Sequence, residues 1–337
     1  MREPIPKRKT VAAKRRKALN RQKIENRKEN RTEKQNSRNI DEREVLFEGD
    51  LKSFGFTGAY YHFLSCDSTN NILKKVSHYK IQREIPSSNP ILKPPLVDDN
   101  ICEDSFFQYL ANSKLPLVIT SDEQTAGRGR LSNTWWTGPG SLALSMLLDA
   151  KQHGLKPQTS AQLSLAIGYA AMVALRTVTQ ETLTETGTFA MSNIEIRWPN
   201  DVYVNDRKIT GILIEMPNRH HVVIGVGVNT NNTAADAPEE IRDRIVTLSD
   251  VLGKKIDQDR LIFLLCREMM DILNDFPSQM PQLIAKVEAN LYQTGKMVNI
   301  SSENEQISGK CLGLNPEGAL RVLTETGEKA VVSSVIV

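Results

Sequence analysis

The chain has 337 residues, 39% hydrophobic and 25% charged, with a formal net charge of +3, a length that suits about two compact domains plus a tail. No apolar run approaches the ~18 residues of a membrane span, so no membrane partner is expected. The first residues hold no apolar signal core, so secretion is not expected either.

Charge is unevenly placed. Residues 1–44 carry 16 Lys/Arg against 7 Asp/Glu, and the remaining residues carry 27 against 33. So basic a segment, with so few apolar side chains, cannot bury enough surface to offset its ordering entropy, and 1–44 reads as a disordered basic tail. Lys14–Arg15–Arg16–Lys17 suits a phosphate backbone or an anionic surface, but a solvated tail is the simpler reading. No helix-turn-helix pattern is present, so sequence-specific DNA is not an expected partner.

From Val45 the texture is globular. Ser68 is placed to cap a short helix from Thr69, with Ile72, Leu73 and Val76 on one face. Residues 77–105, rich in Pro, Ser, Asn and Asp, read as a surface insertion. Leu117–Ser121 is a short strand, Gly127–Gly140 a glycine-rich loop with aromatics, and Leu142–Leu148 a buried strand. A helix is predicted from Ser160 to about Thr179, with Leu163, Ile167, Ala170, Ala171 and Ala174 at helical spacing. Ile194–Trp198 and Val202–Val204 are strands interrupted by Pro199–Asn200–Asp201, and Asn205–Asp206 marks a turn. Ile209–Glu215 and Val222–Asn229 are further strands, the second so apolar that it belongs in the middle of a sheet. Asp259–Phe276 carries the clearest amphipathic stripe. After Gly295, short strands and turns at 315–318 and 326–327 suggest a small β-barrel of about 40 residues. Strands and helices mix without βαβ regularity, so the main domain is expected to be α+β. The domain reading is a tail at 1–44, a main domain at 45–292 with the insertion at about 77–105, and a C-terminal domain at 293–337.

Cys66, Cys102, Cys266 and Cys311 are far apart and form no CxxC. That favours reduced thiols in a cytoplasmic protein over a disulfide frame or a zinc site. His62, His78 and His153 stand alone and His220–His221 adjoins a turn. Without ligand spacing they are expected on the surface, with no metal held by protein.

Four short blocks carry chemistry. In Gln124–Thr125–Ala126–Gly127–Arg128–Gly129–Arg130, alternate glycines permit close backbone approach and two arginines bring donor forks suited to phosphate oxygens. A plain surface turn explains the block equally well when it is taken alone. Trp135 and Trp136 follow, either to stack on a ligand or to anchor the loop. In Arg197–Trp198–Pro199–Asn200–Asp201 the proline stops a strand and fixes where Arg197 points. Alone, this is more simply a strand end with a core tryptophan. A guanidinium stays protonated, so Arg197 can be a fixed cation but not a general base, a role that lysine would also fill. Arg207–Leu213 is a hairpin whose Lys208 faces ligand or solvent. Gly225–Val226–Gly227–Val228–Asn229 places small residues where something approaches a central strand, either a ligand or a packed helix.

In this order, DSTN (67–70), QTAGRGR (124–130), RWPND (197–201), RKITGIL (207–213) and GVGVN (225–229) resemble the catalytic domain of biotin protein ligases. The terminal β segment resembles that family's small SH3-like domain, and the likeness spans about residues 60–337. It implies a mixed β-sheet flanked by helices, of class II-synthetase-like fold, with the barrel beside it. Ser68, Thr69 and Asn70 match the biotin-contacting triplet and Gln124 the biotin-binding glutamine. Arg128, Gly129 and Arg130 match the loop over biotin and the adenylate. Trp135, Asn200, Lys208 and Asn229, with Arg128 and Arg130, are implied at the nucleotide. Arg197 stands where the family usually has lysine, and with Arg130 it is the implied catalytic cation, next to biotin. The implied reaction joins biotin and ATP into biotinyl-AMP. It then moves biotin to a lysine of the biotin carboxyl carrier domain of acetyl-CoA carboxylase or a related carboxylase. Mg²⁺ is implied as the companion of ATP, and a homodimer is left open. No Ser–His or Cys–His arrangement is present, and this reaction needs no enzyme nucleophile. One rival is a lipoate or octanoate ligase of the same superfamily, which lacks the WPND block. The other is a nucleic-acid-binding protein using the basic tail, which leaves the adenylation motifs without a role.

Overall fold

A computed structural model describes residues 45–50, 58–83, 103–183, 194–301, 305–332 and 335–336. The basic tail, Cys102 and residues 84–102 of the expected insertion lie outside them. Eight strands form the main sheet: β1 (Val45–Asp50), β2 (Ala59–Cys66), β3 (Leu117–Gln124), β4 (Leu142–Asp149), β5 (Ile194–Arg197), β6 (Asp201–Val204), β7 (Arg207–Glu215) and β8 (His221–Val228). Their order is β1-β2-β3-β4-β8-β7-β6-β5, so β8 is central, as its apolar run predicts. The sheet is mixed because β2 and β3 pair in parallel while the other neighbours run antiparallel.

A parallel pair needs a crossover, and helices α1 (Thr69–Arg83) and α2 (Glu103–Ala111) supply it. Here the structure departs from the expected short helix and insertion. The stripe of Ile72, Leu73 and Val76 continues to Tyr79, which stacks on Phe107 of α2 with centroids 6.1 Å apart. Residues 77–83 are therefore helical, and α2 starts at Glu103. Helix α3 (Ser160–Leu183) crosses the opposite face of the sheet, followed by α4 (Glu239–Arg242), α5 (Leu248–Leu252), α6 (Gln258–Asn274) and α7 (Met280–Glu288). Counted from Pro157, the α3 stretch is 27 residues long and apolar enough to cross a membrane, contrary to the expectation that no run comes close. Most of its apolar window is buried against the sheet and α6, the place of a core helix.

Strand alternation decides which face does what. On β4 and β8, Leu144, Met146, Leu148, Val222, Ile224, Val226 and Val228 join the core under α3, α6 and α7. Their alternates Leu147 and Val223 enter a second core with α1 and α2. Further along the same face the alternates shrink to Ala143, Ser145, Gly225 and Gly227, and there the sheet is covered by loops instead of helices. His62, His153 and His221 are buried rather than on the surface. Each ring has found a partner inside: Thr120 Oγ1, Leu273 O and Ser77 Oγ respectively.

The C-terminal segment forms a five-stranded antiparallel sheet of β9 (Met297–Ser301), β10 (Gln306–Leu314), β11 (Leu320–Thr324), β12 (Gly327–Val331) and β13 (Val335–Ile336), in the order β12-β11-β10-β9-β13. Its apolar side, including Val298, Leu314 and Leu320, is continuous with the core under α3 and α7. The chain entering it runs alongside β5, with Ile196 N donating to Asn290 O at 2.9 Å and Tyr292 N donating to Ile196 O at 2.8 Å.

Candidate active site

Over the small-residue face lies a cavity of about 380 Å³, with β4, β7 and β8 as its floor. All the predicted site residues except Asn229 line it. Ser68, Thr69 and Asn70 enter where α1 starts, Gln124 where β3 ends, Arg128–Trp135 from the glycine-rich loop, Arg197 from the end of β5 and Asn200 from the β5–β6 turn.

One end is a chain of neutral hydrogen bonds. Gln124 Oε1 accepts from Thr69 N at 2.9 Å and from Thr69 Oγ1 at 3.2 Å. Thr69 Oγ1 also lies 2.7 Å from Ser145 Oγ, whose hydroxyl donates to Asn70 Oδ1 at 2.6 Å. Behind this wall, Glu215 accepts from Asn70 Nδ2 at 2.9 Å and Lys74 Nζ at 2.8 Å, and pairs with Arg128 Nη1 at 2.9 Å. Burial pushes the Glu215 carboxyl up, but hydrogen bonds from Lys74 and Asn70 and the charges of Lys74 and Arg128 outweigh it and hold it below its ordinary value.

The other end is cationic. Arg130 Nη1 donates to Asn200 Oδ1 at 3.3 Å. Burial lowers the Arg130 pKa, with the Asp201 charge opposing, and a guanidinium remains charged regardless. Lys208 Nζ pairs with Asp201 at 2.8 Å. Arg197 Nη1 donates to Tyr203 OH at 2.6 Å. Arg244, exposed, adds a further cation to the lining.

The glycines now have specific reasons. A Cβ on Gly225 would sit 2.3 Å from Asn70 Oδ1, and one on Gly227 would sit 2.3 Å from the Trp135 ring. Gly211, paired with Gly227 across β7 and β8, would meet the same ring at 2.9 Å. The first glycine admits the Asn70 amide and the other two seat the indole. The loop carrying Trp135 folds back on itself, Gly129 N donating to Asn133 O at 2.8 Å and Trp135 N to Gly127 O at 3.0 Å. At its tip Leu131 has φ +57° and is 76% exposed, an unfavourable place for a large apolar side chain.

Asn229 stands apart from the lining. Alternation would aim it at the cavity with Gly225 and Gly227, but β8 stops at Val228. Its side chain turns into the following loop, accepting from Asn232 Nδ2 at 3.3 Å, while its carbonyl accepts from Leu248 N. It is buried and shapes the loop. Trp198, whose core reading was the simpler one, is 1% exposed and donates from Nε1 to Gly318 O at 3.2 Å.

The chain matches the Biotin/lipoate A/B protein ligase family over residues 102–229 and the Biotin protein ligase C terminal domain over 294–337. It is 32% identical over 236 residues to the bifunctional ligase/repressor BirA of Bacillus spizizenii, covering 67% of each chain. The chain belongs to the biotin protein ligase family. A biotin–[acetyl-CoA-carboxylase] ligase of Mycobacterium tuberculosis is 28% identical over 219 residues, covering 65% of this chain and 76% of that one. The biotin protein ligase of Aquifex aeolicus, solved in complex with biotin and ATP, superposes with a TM-score of 0.60 at 25% identity, over 82% of this chain and 97% of that one. Within the family's frame, sequence reasoning missed Glu215, Lys74, Ser145, Tyr203 and Arg244. None of the five stands in a motif: Glu215 ends a strand, where an acid looks solvent-facing, and the others are single polar residues outside the blocks they join.

Proposed function

We propose that the chain is an ATP-dependent biotin protein ligase that activates biotin as biotinyl-AMP and transfers it to a carrier lysine. The observation that carries this is the two-ended cavity in a chain of this family. An end of hydroxyls and amides around Thr69, Asn70 and Gln124 can meet the donors and acceptor of a ureido ring. At the other end of the same cavity, Arg130, Arg197 and Lys208 can meet phosphate oxygens. A carboxylate oxygen of biotin attacks the α-phosphorus of ATP, and the bond to pyrophosphate breaks. The lysine amine then attacks the acyl carbon, loses a proton, and AMP leaves. Arg197 and Arg130 are the catalytic cations, stabilising negative charge as it develops at phosphorus. The cavity supplies the in-line positioning.

Among the described residues no three His, Cys, Asp or Glu side chains gather as metal ligands, and Asp201 is engaged by Lys208. In this reading Mg²⁺ travels on the phosphates of ATP. The acceptor is a carboxyl carrier domain. The site belongs to a unit of residues 45–292, with 293–337 as a second unit and 1–44 apart from both. A cytoplasmic location suits the buried free thiols of Cys66, Cys266 and Cys311. Sequence-specific DNA is no part of this reading.

The test is ATP–pyrophosphate exchange with the carboxylic acid varied. Exchange is expected with biotin and not with lipoate or octanoate. Exchange driven by lipoate while biotin is inert would overturn the assignment in favour of the superfamily rival.

A further inference from the structure

Lys208 and Arg128 each face a carboxylate, but among the described residues none pairs with Arg197. Among the described residues it is held by phenols instead. Its guanidinium carbon lies 4.7 Å from the Tyr203 ring centroid and 5.8 Å from that of Tyr292, and Nη1 donates to Tyr203 OH at 2.6 Å. The two rings stand 5.5 Å apart, tilted by 37°. Both distances to the guanidinium fall within cation–π range. A carboxylate at this point would neutralise the cation before an anion arrived. Two aromatic rings fix its direction and leave its charge for the ligand.

Tyr203 belongs to β6, in the main sheet. Tyr292 belongs to the segment that leads into the C-terminal sheet. Its backbone is pinned to β5 one residue before Arg197, through Tyr292 N to Ile196 O at 2.8 Å. Its ring also carries Lys296 Nζ at 3.4 Å, and Lys296 in turn lies 3.8 Å from Asp206 in the β6–β7 turn. Burial and a hydrogen bond with Asp206 push the Tyr292 phenol up to about 12, and burial raises Tyr203 as well. Both rings therefore stay neutral at any working pH.

We propose that Tyr203 and Tyr292 are positioning residues that cradle Arg197 for the adenylation step, and that Tyr292 ties the C-terminal unit to the active site. The cradle fits a planar guanidinium, which stacks on rings, better than the compact ammonium of lysine. This accounts for arginine at a position where the family resemblance leads one to expect lysine. It also changes the expectation for Arg197→Lys: charge is kept, but the ring contacts and the bond to Tyr203 are not reproduced.

The inference rests on reading Arg197 as the cation of adenylation, and a double-variant cycle on the full chain separates the two. Single-turnover formation of the adenylate is measured for Arg197→Met, Tyr292→Phe, Tyr292→Leu and the Arg197→Met/Tyr292→Leu pair, with the melting temperature of each. Tyr292→Phe keeps the ring and is expected to stay within about twofold of the parent, while Tyr292→Leu slows the step by about 5- to 30-fold. In the Arg197→Met background, Tyr292→Leu is expected to cost nothing further, because there is no guanidinium left to hold. If Tyr292→Leu slows both backgrounds equally, or neither, the cradle is wrong. If Arg197→Met itself forms adenylate like the parent, the catalytic reading of Arg197 is the one that fails. Should Tyr292→Leu not fold, Tyr292→Met, closer in shape to a flexible filler, takes its place in the cycle.

Discussion

Glu215 is one carboxylate serving two cavity groups and a third behind them: it orients the Asn70 amide, fixes Arg128 of the loop, and neutralises Lys74. Replacing it by glutamine keeps the shape and removes the charge, leaving two cations facing each other. Glu215→Gln is expected to lower kcat/KM for biotin by about 10- to 100-fold, or roughly 1.5–3 kcal/mol, the usual cost of unpairing a charged hydrogen-bonded group. Steady-state kinetics with biotin varied checks this, and an unchanged kcat/KM would remove Glu215 from the site. The folded-state pKa of Glu215 lies below its ordinary value of 4.5. The stabilisation it supplies is therefore fully present above that value and fades as pH falls through the depressed pKa. The gap in melting temperature between parent and Glu215→Gln should be constant near neutrality and close as the solution is acidified below about 4.5. A gap that persists unchanged into acid would show that the carboxylate is not what stabilises. None of this was legible in one dimension. An acid at a strand end looks solvent-facing, and Ser145 looks like filler in an apolar run. That Ser68–Asn70, Gln124 and the two arginines would share one cavity was expected from the family resemblance of their blocks, whereas their partners Glu215 and Ser145 lie outside any such block.

At the scale of elements, β8 does the most with the least. Its alternation puts isoleucine and valine into the core on one side and two glycines under the cavity on the other. The two glycines are not interchangeable. Gly225→Ala pushes a methyl into Asn70, so it is expected to raise KM for biotin with less effect on ATP. Gly227→Ala displaces Trp135, so it is expected to raise KM for ATP with less effect on biotin. Each shift should reach about tenfold, since the clash is against a packed group and not a free side-chain end. Titrating each variant with both substrates in the exchange assay decides. The same pattern of KM changes in both variants would mean that the floor is simply damaged. The strand reading foresaw a close approach here but left open what approaches, because a glycine records only that a Cβ is forbidden. The helix reading fell short at α1, where polar residues after Val76 look like a loop until Tyr79 is seen stacked on α2. Asn229 lies off the cavity lining for a related reason: alternation holds only while the strand lasts.

For the molecule as a whole, the junction between the two sheets lies at the active site. Gln293 bonds the Trp198 backbone twice, Trp198 N to Oε1 at 3.1 Å and Nε2 to Trp198 O at 2.9 Å, while the indole reaches Gly318. Gln293→Ala strands both backbone groups in a buried place and should destabilise the chain by about 2–4 kcal/mol. Thermal unfolding would show this as a single lowered transition. A second, separate transition for the C-terminal sheet would instead mean that the two units melt independently. The change of texture after Gly295 foretold a separate run of short strands, seen as the five-stranded sheet, but not the core that this sheet shares with the main one, since composition reports what is apolar and not what it faces.

Cys266, at the middle of α6, carries a further consequence. It is fully buried against α3, and that burial pushes its thiol up to about 12, so an alkylating reagent meets neither a path nor a thiolate while the fold is intact. The chain thus contains its own clock for global opening: the rate at which Cys266 becomes labelled counts the visits to the unfolded state. Biotin and ATP bind only the folded form and should slow that clock together, by a factor of 1 + [L]/Kd at saturating reagent. Mass spectrometry of the labelled peptide reads it out, and labelling that ignores both ligands would show that Cys266 opens locally.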